Sequence, residues 1–73
     1  MKIYTIQHDK INYDCYIGHV IVANNHEEVR KLAKDIAADE GVEIWNNAII
    51  EECGEYTCHR KEPFILMSNF NQG

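Results

Sequence analysis

The residues of this chain with the most chemical reach are its three cysteines and four histidines, and Cys53, Cys58 and His59 crowd into one stretch. Thiolate and imidazole are the ligands zinc prefers, and Cys15 or His19 would have to approach across a sheet to complete a tetrahedron. The spacing argues against that. Cys58 and His59 are adjacent, which makes them hard to aim at one ion, whereas structural zinc sites carry paired short Cys spacings. A buried thiol in a strand is the plainer expectation for a free cysteine. A metal-stabilised module built on Cys53, Cys58 and His59 stands as the alternative reading; the leading one expects no cofactor and no metal.

Nucleophilic chemistry is the second candidate. Cys58 precedes His59, Arg60 and Lys61, a locally basic stretch, and nearby cations favour the reactive thiolate. A turn in 73 residues offers little cleft for a substrate, and no oxyanion device is apparent. The sequence also lacks a Gly-rich phosphate loop, a Gly-x-Ser-x-Gly elbow and a His-Glu-x-x-His pair. The expectation is a protein that is not an enzyme.

Two further sets suit binding. Asp39, Glu40 and Glu43 follow a helix, and Glu51, Glu52 and Glu55 lie along a strand. If that strand neighbours the helix exit, they form one negative surface, able to engage a basic channel as a phosphate mimic would. The plainer reading is a solvated edge whose charges discourage strand-to-strand aggregation. Among the aromatic residues, Trp45 falls in the connection after the helix and is the first candidate for a binding hot spot. Most of the aromatics are expected to fill the core.

Composition sets the frame. The chain is 45% hydrophobic and 26% charged, with one Pro, which is the balance of a folded protein rather than a disordered one. Residues 1–73 are expected to make a single α+β domain, since this length has room for one core. Seven basic against twelve acidic residues give a net charge of −5, which argues against direct nucleic-acid binding and permits a partner with a basic surface. No stretch approaches the ~18 apolar residues of a membrane span, and the start lacks the features of a signal peptide. With an odd number of cysteines, reduced thiols in a cytoplasm are the simplest account.

The elements that position these residues follow from periodicity. Lys2 to His8 alternates as a strand, with Tyr4 and Ile6 on one face and Ile3 and Thr5 on the other. Asp9 to Asp14 reads as a turn, and Tyr16 to Ala23 as a β-branched second strand, so the two make an antiparallel hairpin. Asn25 is a good N-cap with Glu28 placed for a capping box. Val29, Leu32, Ala33, Ile36 and Ala37 then form one apolar stripe, with Arg30, Lys31, Lys34 and Asp35 mainly on the other side and Gly41 ending the helix. Ala48 to Tyr56 and Phe64 to Phe70 complete the order strand, strand, helix, strand, strand. One amphipathic helix must bury its stripe on something, which predicts a ββαββ fold with the helix on a four-stranded, mostly antiparallel sheet.

Several segments occur in an order that resembles a group of small bacteriophage and prophage proteins. They are Tyr13-Asp14-Cys15-Tyr16, Val20-Ile21-Val22-Ala23, Glu27-Glu28-Val29-Arg30, Ala38-Asp39-Glu40-Gly41 with Trp45, and Phe64-Ile65-Leu66-Met67-Ser68-Asn69-Phe70-Asn71-Gln72-Gly73. The group carries a Tyr-Asp start, a Val-Val-Ala strand, a Glu-Glu-Ala-Arg helix and an ending close to Ser-Phe-Asn-Ala-Gly. Val29 stands where Ala is usual, and Asn69 and Gln72 interrupt the ending. The resemblance implies a phage accessory protein of the host bacterial cytoplasm that binds and inhibits a host protein or ribonucleoprotein complex, as anti-CRISPR and other anti-defence inhibitors do. A homodimer is compatible with this, because so small a core leaves surface to bury.

Overall fold

The computed structural model describes residues 1–10, 13–57 and 59–72. Four strands run in the order β1 (Lys2–Gln7), β2 (Cys15–Ala23), β3 (Ile49–Glu55) and β4 (Phe64–Asn71), with one helix, α1 (His26–Asp35), between β2 and β3. They form a single sheet in the spatial order β3-β1-β2-β4, and each neighbouring pair is antiparallel. This is the expected α+β architecture, one helix on a four-stranded sheet. The β1–β2 hairpin supplies the two central strands, and the later strands add to either side, so β3 and β4 are the edges.

The core lies under α1. Tyr4 and Ile6 from β1, Ile21 and Ala23 from β2, Val29 and Ala33 from α1, and Trp45 and Ala48 from the connection are all buried together. The alternation read in β1 therefore holds, with Tyr4 and Ile6 facing the helix. At the pairing of Gly18 with Gln7, a side chain on Gly18 would sit 3.0 Å from the Ile6 carbonyl oxygen and 3.2 Å from Gln7 Cβ. That close approach is what glycine permits beside the β2 bulge between Tyr16 and Gly18.

Asn25 caps α1 as its residue type predicts, its side chain accepting from the Glu28 backbone N–H at 2.9 Å. Glu28 reaches back one residue further than a capping box requires and accepts from the Asn24 N–H at 2.7 Å.

The other end corrects the sequence reading. The helix stops at Asp35, not at Gly41, because its next donors are taken elsewhere. Ala37 N–H turns tightly onto the Lys34 carbonyl, Ala38 N–H goes to the Glu40 carboxylate, and Asp39 N–H goes to the Asp14 carbonyl across the hairpin. With those bonds made, the i→i−4 ladder cannot continue. Ile36 therefore leaves the buried stripe and is 37% exposed. Gly41 does hold a positive φ of 80°, but in the turn that follows. The connection then winds into one 3-10 turn over Glu43–Asn46.

Arg30 is a second correction. Instead of facing solvent, it is half-buried and its Nη1 donates to the Trp45 carbonyl at 2.7 Å and the Ala48 carbonyl at 2.9 Å. The guanidinium thereby satisfies backbone oxygens that the short 3-10 turn leaves open, a use for which its fork of donors is well shaped.

Candidate functional site

Trp45 organises the interior at one end of the sheet. It is fully buried, and its ring meets His8 edge-on at 5.0 Å and His19 in a tilted contact at 5.0 Å. Tyr16 packs on the far side of His19, also at 5.0 Å, and on Phe70 at 4.7 Å. Glu40 binds the group from below: Oε2 accepts from the Trp45 indole N–H at 3.0 Å, and Oε1 accepts from the N–H groups of Tyr16 at 3.0 Å and Ala38 at 3.1 Å.

This placement corrects two of the expected contact residues. Trp45 is core, with no surface to offer a partner. Glu40 is turned inward by three N–H donors and does not belong to an outer acidic face. The signal was largely tertiary, since only the folded chain brings Tyr16 to the carboxylate.

Ser68 was not among the expected residues and His19 entered only as a remote zinc ligand, but their geometry invites a chemical test. His19 Nδ1 lies 2.7 Å from Ser68 Oγ, the separation of a nucleophile and its base. The far nitrogen, Nε2, is buried with no hydrogen-bond partner among the described residues, so nothing there orients the ring or stabilises an imidazolium. Burial pushes the His19 imidazole below its ordinary value of 6.5; neighbouring His8 acts in the same direction and Glu40 against it. The Ser68–His19 contact ties β4 to β2, and burial disfavours the charged imidazole.

A pH dependence follows. The unfolded chain binds a proton on this histidine near pH 6.5, and the folded chain resists it, so stability should be level above about pH 6.5 and fall as pH drops towards the lower folded value. The slope from this group reaches at most ~1.4 kcal/mol per pH unit. Denaturant melts of the parent and a His19→Phe chain between neutral pH and about pH 5 measure it. As the pH falls the parent should lose stability relative to His19→Phe, which has no imidazole to protonate there; parallel curves would remove His19 as the cause.

His8 is also fully engaged. Its Nδ1 accepts from the Lys10 N–H at 3.1 Å, which places the neutral ring's proton on Nε2, 2.6 Å from the Tyr16 carbonyl it donates to. His8 and Glu40 line an open hollow of about 800 Å³ together with Asp9, Lys10, Glu43 and Ile49. Its two innermost polar side chains therefore spend their bonding atoms on the fold.

The cysteines divide by position. Cys15 is buried and donates to the Tyr13 carbonyl at 3.3 Å. Burial, then the charges of Glu40, Asp39 and Asp14, push its thiol upward, which makes it a poor nucleophile. Cys53 is exposed on β3, and His59 is exposed as well. Cys58, on which both the metal and the thiol readings depend, lies outside the described residues. Among the described residues no three His, Cys, Asp or Glu side chains gather into a metal-sized group.

The outer acidic residues do not all meet on one face: the Asp39 N–H is bonded to the Asp14 carbonyl, and the Asp14 N–H to Asn71 of β4, the edge opposite β3. Asp39, Glu43, Glu51, Glu52 and Glu55 are all exposed, the last three on the edge strand β3. Lys2 meets Glu52 at 3.2 Å, and that hydrogen bond holds the ammonium above its ordinary value. Glu51 and Glu55 have no cation within ion-pair distance among the described residues. The opposite edge, β4, is a surface that sequence reasoning did not pick out. Leu66, Met67 and Phe70 are exposed along it.

Compared with protein-family models, with curated proteins and with solved structures, the chain finds no match. The fold thus defines an α+β domain with one helix on an antiparallel sheet. Among the described residues no helix is long and apolar enough to cross a membrane.

Proposed function

We propose that this chain is a non-catalytic binding module that engages a basic surface on another protein through the acidic edge of its sheet. The observation that carries the reading is β3 itself: three of its seven residues are glutamates, all exposed, on a strand with one side unpaired. Carboxylates in such a row raise the encounter rate with a positive surface and fix its register. Glu43, which lines the same hollow as Ile49 at the head of β3, extends the negative field beyond the strand. The resemblance to small phage and prophage proteins supports the narrower form of the proposal, in which the chain inhibits or modulates a host bacterial protein or ribonucleoprotein complex in the anti-defence manner.

Affinity capture from a bacterial lysate tests this, with the parent chain set beside a Glu51→Lys, Glu55→Lys double variant. The parent should retain a specific partner that is released by about 0.5 M salt, where screening acts within ~4 Å, and the variant should retain little of it. Capture that ignores both the charge reversal and the salt would overturn the acidic-edge reading, and so would the absence of a specific partner.

A further inference from the structure

The two edges of the sheet differ in kind. β3 carries three glutamates, whereas β4, the eight residues Phe64–Asn71, contains no Asp, Glu, Lys, Arg or Pro. Along β4, Leu66 is 53%, Met67 67% and Phe70 38% exposed. Because β4 ends the strand order, one row of its backbone N–H and C=O groups has no strand to pair with. Sheet edges are ordinarily protected by charge, proline, a bulge or a covering element. Here the bulge that sets Leu66 against the Val20–Ile21 step is the sole such device within the strand, and α1 packs on β1 and β2 instead.

We infer that β4 pairs antiparallel with β4 of a second copy about a two-fold axis at Ser68, joining two four-stranded sheets into one of eight strands. Charge selects the occupant. The chain carries −5, so two copies repel unless they meet where neither presents a carboxylate. Joining β3 to β3 brings the glutamates of two copies onto adjacent strands, an unfavourable cross-strand arrangement. Joining β3 to β4 is head-to-tail and leaves an edge free at each end, an open filament. Joining β4 to β4 meets no charge and closes. A foreign basic segment, by contrast, finds no carboxylate on β4 to recognise.

The strand is also self-complementary in this register. With Ser68 opposite itself, Leu66 stands opposite Phe70 of the second copy and Met67 opposite Asn69, twice each by symmetry. Aliphatic–aromatic and hydroxyl–hydroxyl pairs are among the favourable cross-strand neighbours. The arrangement sends both acidic β3 edges outward, at the two far ends of the sheet. It does not depend on what those edges bind, so either idea can fail alone.

Sedimentation equilibrium decides the matter. The parent chain should sediment at about twice its 8.5 kDa mass, shifting to a single chain on dilution. Leu66→Glu and Phe70→Lys, each checked for native circular dichroism, should each weaken the dimer by about 100-fold or more, since symmetry counts every substitution twice. Mixing those two variants should restore a heterodimer, because in this register the introduced carboxylate and ammonium face one another. A parent chain that stays monomeric at high concentration overturns the inference, including when it captures an extended peptide instead. Dimers indifferent to both substitutions, or a mixture that stays monomeric, overturn it equally.

Discussion

Trp45→Ala should leave the chain largely unfolded at room temperature. Truncating a buried Trp to Ala costs about 3–5 kcal/mol, from lost transfer energy plus the cavity left behind. A chain of 73 residues has a total stability of only roughly 4–11 kcal/mol at typical values per residue. The loss is therefore comparable with everything the fold has. The site also resists collapse. His8 and His19 contact the indole, Arg30 is bonded to the Trp45 carbonyl, and Glu40 is bonded to the indole N–H. Removing the ring leaves the Glu40 oxygen without its donor in a half-buried place, adding a desolvation cost to the cavity. Urea denaturation followed by far-UV circular dichroism measures the change. Trp45→Phe serves as the control, because it keeps most of the volume and should lose clearly less. A Trp45→Ala chain with a midpoint near that of the parent would show that this residue is not the centre of the core.

How far the sequence reaches is visible in particular residues. The alternation of Tyr4 and Ile6 with Ile3 and Thr5 made the inward face of β1 readable, and Asn25 marked the start of α1, because both signals are local. The end of α1 was not readable. It is set by the Asp14 carbonyl, which only the folded chain brings near Asp39, together with the Glu40 carboxylate two residues beyond Ala38. Trp45 misled for the same reason: a tryptophan in a connection resembles a hot spot until a 3-10 turn and Arg30 fold it inward. Glu51, Glu52 and Glu55 were legible as exposed. Glu40 reads as one more surface acid beside Asp39 and Glu43, although its burial separates it from them. The uncharged run of β4 is subtler. Such a run is the pattern of a strand covered on both sides, and strand order, which no local spacing encodes, puts it at an edge.

Glu40 offers the most specific test of that interior. Its two oxygens take three N–H donors, from Tyr16, Ala38 and Trp45. Each comes from a different part of the chain: the hairpin, the exit of α1 and the 3-10 turn. Glu40→Gln keeps the shape and removes the match. An amide has one accepting oxygen, and its NH2 must then point either at the indole N–H or at both backbone N–H groups, setting donor against donor. Hydrogen bonds to charged groups contribute about 1.5–3 kcal/mol each, and an orphaned buried donor loses its solvation besides. The near-isosteric change should therefore cost about 2–3 kcal/mol, far more than a typical surface Glu→Gln. Glu43→Gln, three residues further along and exposed outside the network, should stay within about 0.5 kcal/mol of the parent. The two substitutions remove the same formal charge, so a matched pair of small losses would mean that Glu40 acts only through the field of the chain. A large loss confined to Glu40 would mean that one carboxylate ties the connection after α1 to Tyr16, which no local sequence signal links to it.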